Sequence, residues 1–321
     1  LVPDRPFVSD TDGMQAYAAS GPAFPQVDRL GPIDWSQWGR LADRLAADLS
    51  GAADLDRRIH HLYLPVLFFC AARARMATTR PLVVGLQAPQ GGGKTTLVRH
   101  LVARLPDLGL RAADVSIDDF YLTRAEQLQL AASHPGNPYL EHRGYPGTHD
   151  LGLGVATLDA LRALGPGSTA TVRVPVYDKS AHGGRGDRAP ELAWRDVTGP
   201  LDLVFVEGWM LGFAPVAESG LPDAFLVAPN RALSGYSRWH DRLDAFVALR
   251  PTDPLFVMRW RVEAEARMAA EGRPALDRAA IEDYVRRFLP AYALYGRGPG
   301  PVPDARLLVF LDAERRAVAA P

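Results

Sequence analysis

The sequence predicts an α/β protein built on a mostly parallel sheet with helices on both faces. Three observations lead there. From Pro81 onward, short apolar runs alternate with helical patterns, the order produced when parallel strands are joined by helical crossovers. The first run, Pro81 to Leu86, passes into a glycine-rich turn and then a helical pattern, so strand, turn and helix follow one another without a gap. With 321 residues, 47% of them hydrophobic and 23% charged, the chain is long and apolar enough for two domains or one large elaborated one, which excludes a disordered or fibrous chain.

Residues 1–33 are rich in proline, glycine and aspartate with weak periodicity, which predicts an extended arm or surface wrap. From Asp34 the apolar positions Trp35, Trp38, Leu41, Leu45 and Leu49 recur at three- and four-residue steps, and a second periodic stretch covers 55–77. Two helices are expected, with Asp43, Arg44, Asp48, Asp56, Arg57 and Arg58 on their solvated faces. An N-terminal arm and helices over 1–79 would then precede an α/β core over 80–321. In that core strands are expected at 81–86, 112–117, 171–177, 201–206, 244–249 and 305–311, and helices at 95–105, 151–164, 254–270 and 278–294.

Charge and cysteine usage narrow the function classes. The 36 basic and 37 acidic residues leave a net charge of −1, so there is no global basic field for nucleic acid or anionic lipid. A single cysteine, Cys70, excludes an internal disulfide framework and a cysteine-built metal site, and makes a reducing cytoplasm the simplest compartment. The most apolar run, 62–72, contains Pro65 and falls well short of the ~20 residues a membrane helix needs. The chain begins Leu-Val-Pro-Asp, with neither methionine nor a basic-then-apolar leader, which reads as a trimmed or incomplete start without a secretion signal.

The strongest chemical signal is Ala88-Pro-Gln-Gly-Gly-Gly-Lys-Thr95, a P-loop with Ala88 at the first glycine position. Backbone N–H groups must turn inward around a polyphosphate, and Gly91, Gly92 and Gly93 allow that approach without a Cβ in the way. Pro89, Gln90, Lys94, Thr95 and Thr96 complete the expected ATP cradle, with Lys94 reaching the terminal phosphates and the Thr95 hydroxyl offered to Mg²⁺.

Carboxylates at other strand ends decide what such a cradle is for. Asp118 and Asp119 end the second strand, where either can take the proton of an attacking hydroxyl. Glu207 ends the apolar run from Leu201 in the manner of a Walker B segment and is the expected Mg²⁺ ligand. Between them Tyr177 to Arg188, with three glycines, reads as a lid whose Arg185 and Arg188 can meet charge developing on a transferring phosphoryl group. The loop from Glu141 to Asp150 offers Arg143 as a carboxylate clamp, with His149 and Asp150 as partners for substrate hydroxyls; Asp150 equally suits a helix cap.

Together these segments resemble the D-glycerate 3-kinase family, in the P-loop kinase group that also holds uridine kinase, phosphoribulokinase and pantothenate kinase. The likeness runs from about Pro81 onward. It is carried by the P-loop, Ser116-Ile-Asp-Asp-Phe-Tyr-Leu-Thr123, Arg143-Gly-Tyr-Pro-Gly-Thr-His-Asp150, Tyr177-Asp-Lys-Ser180, Gly183 to Pro190, Glu207-Gly-Trp-Met-Leu-Gly212 and Pro290-Ala-Tyr292. The resemblance implies a five-stranded mostly parallel sheet with an added hairpin and lid. It also implies ATP- and Mg²⁺-dependent phosphorylation of the 3-hydroxyl of D-glycerate, with Asp118 as the preferred base, Asp119 as its helper and Tyr177 among the substrate-binding residues. Another kinase of the same group is the nearest alternative, and an ATP-dependent switch protein a more distant one. The absence of an Asn-Lys-x-Asp segment counts against a GTPase.

Overall fold

The structure, a computed structural model, describes residues 10–270, 272, 278–296 and 300–321. Its centre is a six-stranded sheet built from β1 (Leu82–Gln87), β2 (Ala112–Ser116), β7 (Leu203–Gly208), β8 (Ala245–Pro251), β9 (Arg306–Leu311) and β10 (Ala317–Val318), in the order β10-β9-β8-β1-β7-β2. The first five run parallel, and β10 adds a short antiparallel edge on β9. Because the chain leaves β1 toward β2 and later returns to the other side as β8, the topology switches at β1, and the crevice at the carboxyl ends of the strands is the expected ligand position.

Alternation along the strands divides the core into two layers. Leu82, Val84 and Leu86 of β1, Phe205 of β7 and Val247 of β8 face one layer, whereas Val83, Val204, Val206 and Phe246 face the other. Every residue of β1 and β7 is buried, as expected for parallel strands covered on both faces. The first layer is closed by α3 (Trp35–Asp48), α5 (Leu64–Met76) and α6 (Lys94–Arg104), and the second by α8 (Leu151–Arg162) and the helix Arg278–Tyr295. Among the described residues no helix is long and apolar enough to cross a membrane.

The structure differs from the sequence reading in three places. Residues 10–33 are not an extended arm: they fold as α1 (Thr11–Ala19) and α2 (Phe24–Asp28), which bury Met14, Ala18, Phe24 and Val27 in the first layer. Residues 1–9 lie outside the described residues. The helical stretch 55–77 is split into α4 (Leu55–Arg58), a π turn over Ile59–Tyr63 and α5. Pro65, in the first turn of α5, has no N–H to donate to the preceding turn, and the wider π turn absorbs the mismatch.

The strand expected at 171–177 does not enter the sheet. Pro175 cannot donate to a ladder and divides the segment. Its first part, β3 (Thr171–Val174), pairs with β6 (Arg195–Thr198), and its end, β4 (Tyr177–Asp178), pairs with β5 (Asp187–Arg188). The β4–β5 pair is the stem of the segment that the sequence reads as a lid.

Candidate active site

β1 delivers the chain at Gln87 into the P-loop, and α6 starts at Lys94, so Lys94, Thr95 and Thr96 occupy the first helical turn, where backbone N–H groups are free to meet an anion. Gly91 and Gly93 have φ of +74° and +85°. At Gly91 a Cβ would also come within 2.8 Å of the Trp260 Cβ, so only glycine fits between the cradle and the helix Phe256–Ala270. The loop is held from outside the motif as well. Tyr292 Oη accepts from the Gln90 N–H at 3.1 Å, and Arg315 Nε donates to the Gly91 carbonyl at 2.7 Å. Arg315 also pairs with Glu263 at 2.6 Å and lies over the Trp260 ring, 5.2 Å from its centroid.

Glu207 lies on β7 in register with Leu86 and Ser116, which brings its carboxylate to the strand ends beside the cradle. Thr95 Oγ1 donates to Glu207 Oε1 at 2.8 Å, while the buried Oε2 has no partner. A hydroxyl beside a buried carboxylate oxygen awaiting a partner is a donor set that fits Mg²⁺, which takes oxygen ligands and needs only one or two protein groups when phosphates supply the rest. Among the described residues there is no larger cluster of acidic, histidine or cysteine side chains able to hold a metal.

Ser116 caps the single turn Ile117–Phe120 that follows β2, and this turn gives the two neighbouring carboxylates different surroundings. Asp119 accepts from the N–H groups of Ser116 at 3.3 Å and Tyr177 at 3.4 Å, tying the end of β2 to the lid stem. Burial, reinforced by the charge of Asp118, pushes the Asp119 carboxyl up to about 6 against the pull of those two N–H groups. Asp118 instead forms an ion pair with Lys179 Nζ at 2.6 Å. Burial alone would raise its carboxyl, but Lys179 and then Lys94 hold it well below the usual carboxylate range. The pair therefore holds one ionised carboxylate in the field of the P-loop lysine and one whose carboxyl is raised to about 6.

His149 is buried against the same centre, with its ring stacked on Tyr121 at 4.3 Å between centroids. Its Nδ1 lies 2.8 Å from Tyr236 Oη, which also accepts from the Gly147 N–H at 3.0 Å. The phenol proton is then directed to Nδ1, and this network assigns the ring proton to Nε2, a buried atom with no partner. Burial pushes the imidazole down to about 4, so it is a neutral donor at pH 7.

The arginines expected at the substrate have other partners in this structure. Arg143 donates to the carbonyls of Lys179 at 3.3 Å, Gly184 at 3.0 Å and Arg185, and lies over the Tyr177 ring. Left-handed backbone at His182, Gly183, Gly184 and Gly186 curls the lid so that these carbonyls converge on one guanidinium. Arg185 donates to the His142 ring; Arg188 bonds the Tyr121 carbonyl at 3.1 Å and Asp150 at 3.2 Å, and Asp150 also caps α8 through the Leu153 N–H. Asp118, Asp119, His149 and Tyr177 thus meet around the cradle with Thr95 and Glu207, whereas Arg143, Arg185, Arg188 and Asp150 fasten the lid and its surroundings.

Tyr121, Lys179 and Tyr292 lie in segments that carry the family resemblance but have no role of their own in the sequence reading, and Tyr236 and Arg315 have none either. For Lys179 a signal existed: of the 36 basic residues only Lys94 and Lys179 are lysines. Arg315 carries no motif and reaches the P-loop only because the turn between β9 and β10 brings it there.

A P-loop after the central strand, carboxylates at the ends of β2 and β7 and a hairpin bonded to Asp118 and Asp119 define a P-loop kinase. The chain belongs to the D-glycerate 3-kinase family: it is 37% identical to the chloroplastic D-glycerate 3-kinase of Arabidopsis thaliana over 98% of this chain and 74% of that protein. It is also 34% identical to the uncharacterized kinase mug58 of Schizosaccharomyces pombe, over 67% of this chain and 81% of the relative. The solved D-glycerate 3-kinase of Cryptococcus neoformans var. grubii superimposes with a TM-score of 0.72 at 31% identity, covering 80% of this chain and 97% of that one. No family model matches the chain.

Proposed function

We infer that this enzyme transfers the γ-phosphoryl group of ATP to the 3-hydroxyl of D-glycerate, giving 3-phosphoglycerate and ADP. Family membership supplies the reaction, and one observation carries its assignment to this site: the Asp118 carboxylate in the turn after β2, paired with Lys179 at 2.6 Å and within the field of the P-loop lysine. The backbone of Gly91 to Gly93, flanked by Pro89, Gln90 and Thr96, cradles the β- and γ-phosphates with Lys94. Thr95 and Glu207 would hold Mg²⁺, which when bound neutralises charge on the phosphate oxygens.

Asp118 accepts the proton of the 3-hydroxyl as its oxygen bonds to the γ-phosphorus and the bond to the departing ADP breaks. Most of the acceleration comes from holding these atoms in line and from fixed charge, so a weakly basic carboxylate suffices as proton acceptor. His149 offers its neutral Nε2–H to an acceptor oxygen, Tyr177 borders the acceptor, Asp150 holds Arg188, and Asp119 keeps the turn registered with the lid. Arg143 contributes by closing the lid over the acceptor, with Arg185 and Arg188 as further fasteners, which excludes water from the transferring group. We assign the reaction to the cytoplasm, a setting that suits the free, buried thiol of Cys70.

The test is ADP release with Mg²⁺-ATP across D-glycerate, L-glycerate, uridine, pantothenate, ribulose 5-phosphate and no acceptor, with Lys94→Ala as control. The expected result is release that depends on D-glycerate and is lost in the variant. Release without any acceptor would make the protein a switch, and release with a different acceptor would overturn the substrate.

A further inference from the structure

We propose that Lys179 is the residue through which the lid positions the proton acceptor: its ammonium, carried on the lid just beyond β4, holds and orients the Asp118 carboxylate when the lid is docked. The inference rests on Asp118 as the proton acceptor and goes beyond it by giving lid closure a direct part in preparing that group.

The composition is the first argument. In a chain whose basic residues are otherwise all arginine, the two lysines stand in the P-loop and the lid, and both act electrostatically on Asp118. A lysine is a compact point charge, whereas a planar guanidinium needs room for its fork, so a single close contact to one carboxylate oxygen suits lysine. The Nζ to Oδ2 distance is 2.6 Å.

Connectivity is the second. The lid stem is registered on both carboxylates, with the Tyr177 N–H on Asp119 and, two residues later, the Lys179 side chain on Asp118. Arg143 grips the Lys179 carbonyl together with those of Gly184 and Arg185, so the docked loop and the ammonium move as one piece. The lid's arginines have other partners, His142 for Arg185 and Asp150 with the Tyr121 carbonyl for Arg188. Glu207, across the site, adds to the field that keeps Lys179 charged.

The groups acting on Asp118 come from several elements: Lys94 from α6, Lys179 from the lid, His149 from the loop before α8, and Asp119 and Tyr121 from its own segment. Tyr284 and Tyr292 face it from the helix Arg278–Tyr295. The phenols are uncharged near neutral pH and the imidazole is neutral there, so positive charge reaches Asp118 from the cradle and from the lid. The cradle's lysine is needed by the phosphates, which leaves Lys179 to hold the carboxylate. In the reaction Lys179 keeps its proton and forms no covalent bond, while the hydroxyl proton passes to Asp118.

Lys179→Met, Lys179→Arg and Asp118→Asn, assayed for kcat and both KM values across pH, test this. The Lys179 side chain is 57% exposed, so its variants are expected to fold, and a thermal midpoint within a few degrees of wild type checks that they do. Lys179→Met should lower kcat about a hundredfold, leave the KM for ATP within about threefold and move the acidic limb of kcat up by about one pH unit or more. Lys179→Arg, keeping the charge but not the compact ammonium, should return the limb toward wild type while recovering only part of kcat. A Lys179→Met enzyme with wild-type kcat and an unmoved limb overturns the proposal. So does one in which only the KM for D-glycerate changes, since Lys179 would then be an acceptor ligand. Wild-type kcat in Asp118→Asn would remove the proton-acceptor reading itself, and this inference with it.

Discussion

Arg315 has φ +61°, in the left-handed region that a residue with a Cβ occupies at a cost of about 1 kcal/mol or more. The strain is offset by what the conformation delivers: one guanidinium on the Gly91 carbonyl, on Glu263 at 2.6 Å and over Trp260. Those contacts preform the P-loop before nucleotide arrives. Arg315→Ala should therefore raise the KM for ATP about tenfold while the KM for D-glycerate stays within about twofold, and Arg315→Lys should not rescue it, because an ammonium cannot reproduce the fork. Equal changes in both KM values would mean that Arg315 supports the fold generally. The contrast with Gly91 itself shows what a sequence can reveal at this scale. The motif Ala88 to Thr95 is contiguous and each residue type has a local reason, whereas the clasp that shapes it comes from 224 residues away and leaves no local pattern.

The lid is the element on which sequence and structure differ most usefully. Its glycines were visible as a mobile polar loop, but what they accomplish depends on tertiary contacts. At Gly186, φ is +78° and a Cβ would fall 2.5 Å from the Tyr177 ring and 2.7 Å from Arg143 Nη1. Gly186→Ala should push Arg143 off the lid carbonyls and keep the hairpin from docking. The expected outcome is a kcat reduced at least about tenfold with ATP binding retained, measurable as an unchanged nucleotide affinity by calorimetry beside a lowered turnover. Unchanged turnover would show that docking through Arg143 is not required. The sequence offers Arg143 as a carboxylate clamp, and in the structure it grips the lid segment. That its donors meet backbone carbonyls was not legible, since carbonyls carry no sequence signature. The segment 171–177 misled for a related reason: its residues favour a strand, and only Pro175 marks the break that sends β3 and β4 into separate hairpins.

Across the whole molecule, the parallel sheet was readable because its strands are continuous apolar runs, and residues 10–33 were not because α1 and α2 are short and bury small side chains such as Ala18 among polar neighbours. Those helices, with α3 and α5, share one apolar layer with Leu82, Val84 and Leu86 of β1, so we propose that residues 10–79 and the core after them fold as one unit. Packing on both faces of the sheet encloses imidazoles. Burial pushes His149 and His240 down to about 4, and lowers His61 and His100 as well. A histidine that protonates more readily unfolded than folded contributes stability above about pH 6.5 that is lost as the pH falls toward 4, about 3 kcal/mol for each of the two most shifted. Asp119, raised to about 6 by burial, works the other way and regains stability as it protonates below that pH, offsetting part of the loss. The thermal midpoint should therefore fall between pH 7 and about 4.5. His240→Gln, whose amide oxygen can still accept from the Gly212 N–H, should flatten that fall. A midpoint that is level or rising on acidification would mean that these rings are not held neutral.

The central claim, that Asp118 accepts the proton of the 3-hydroxyl of D-glycerate as the γ-phosphoryl group passes to it at the P-loop, is tested most directly by phosphorus NMR of the product made with Mg²⁺-ATP. Wild-type enzyme should yield 3-phosphoglycerate stoichiometric with ADP, and Asp118→Asn at equal concentration should be slower by about a hundredfold or more. Formation of 2-phosphoglycerate, or of ADP with free phosphate and no phosphorylated acceptor, would contradict the account.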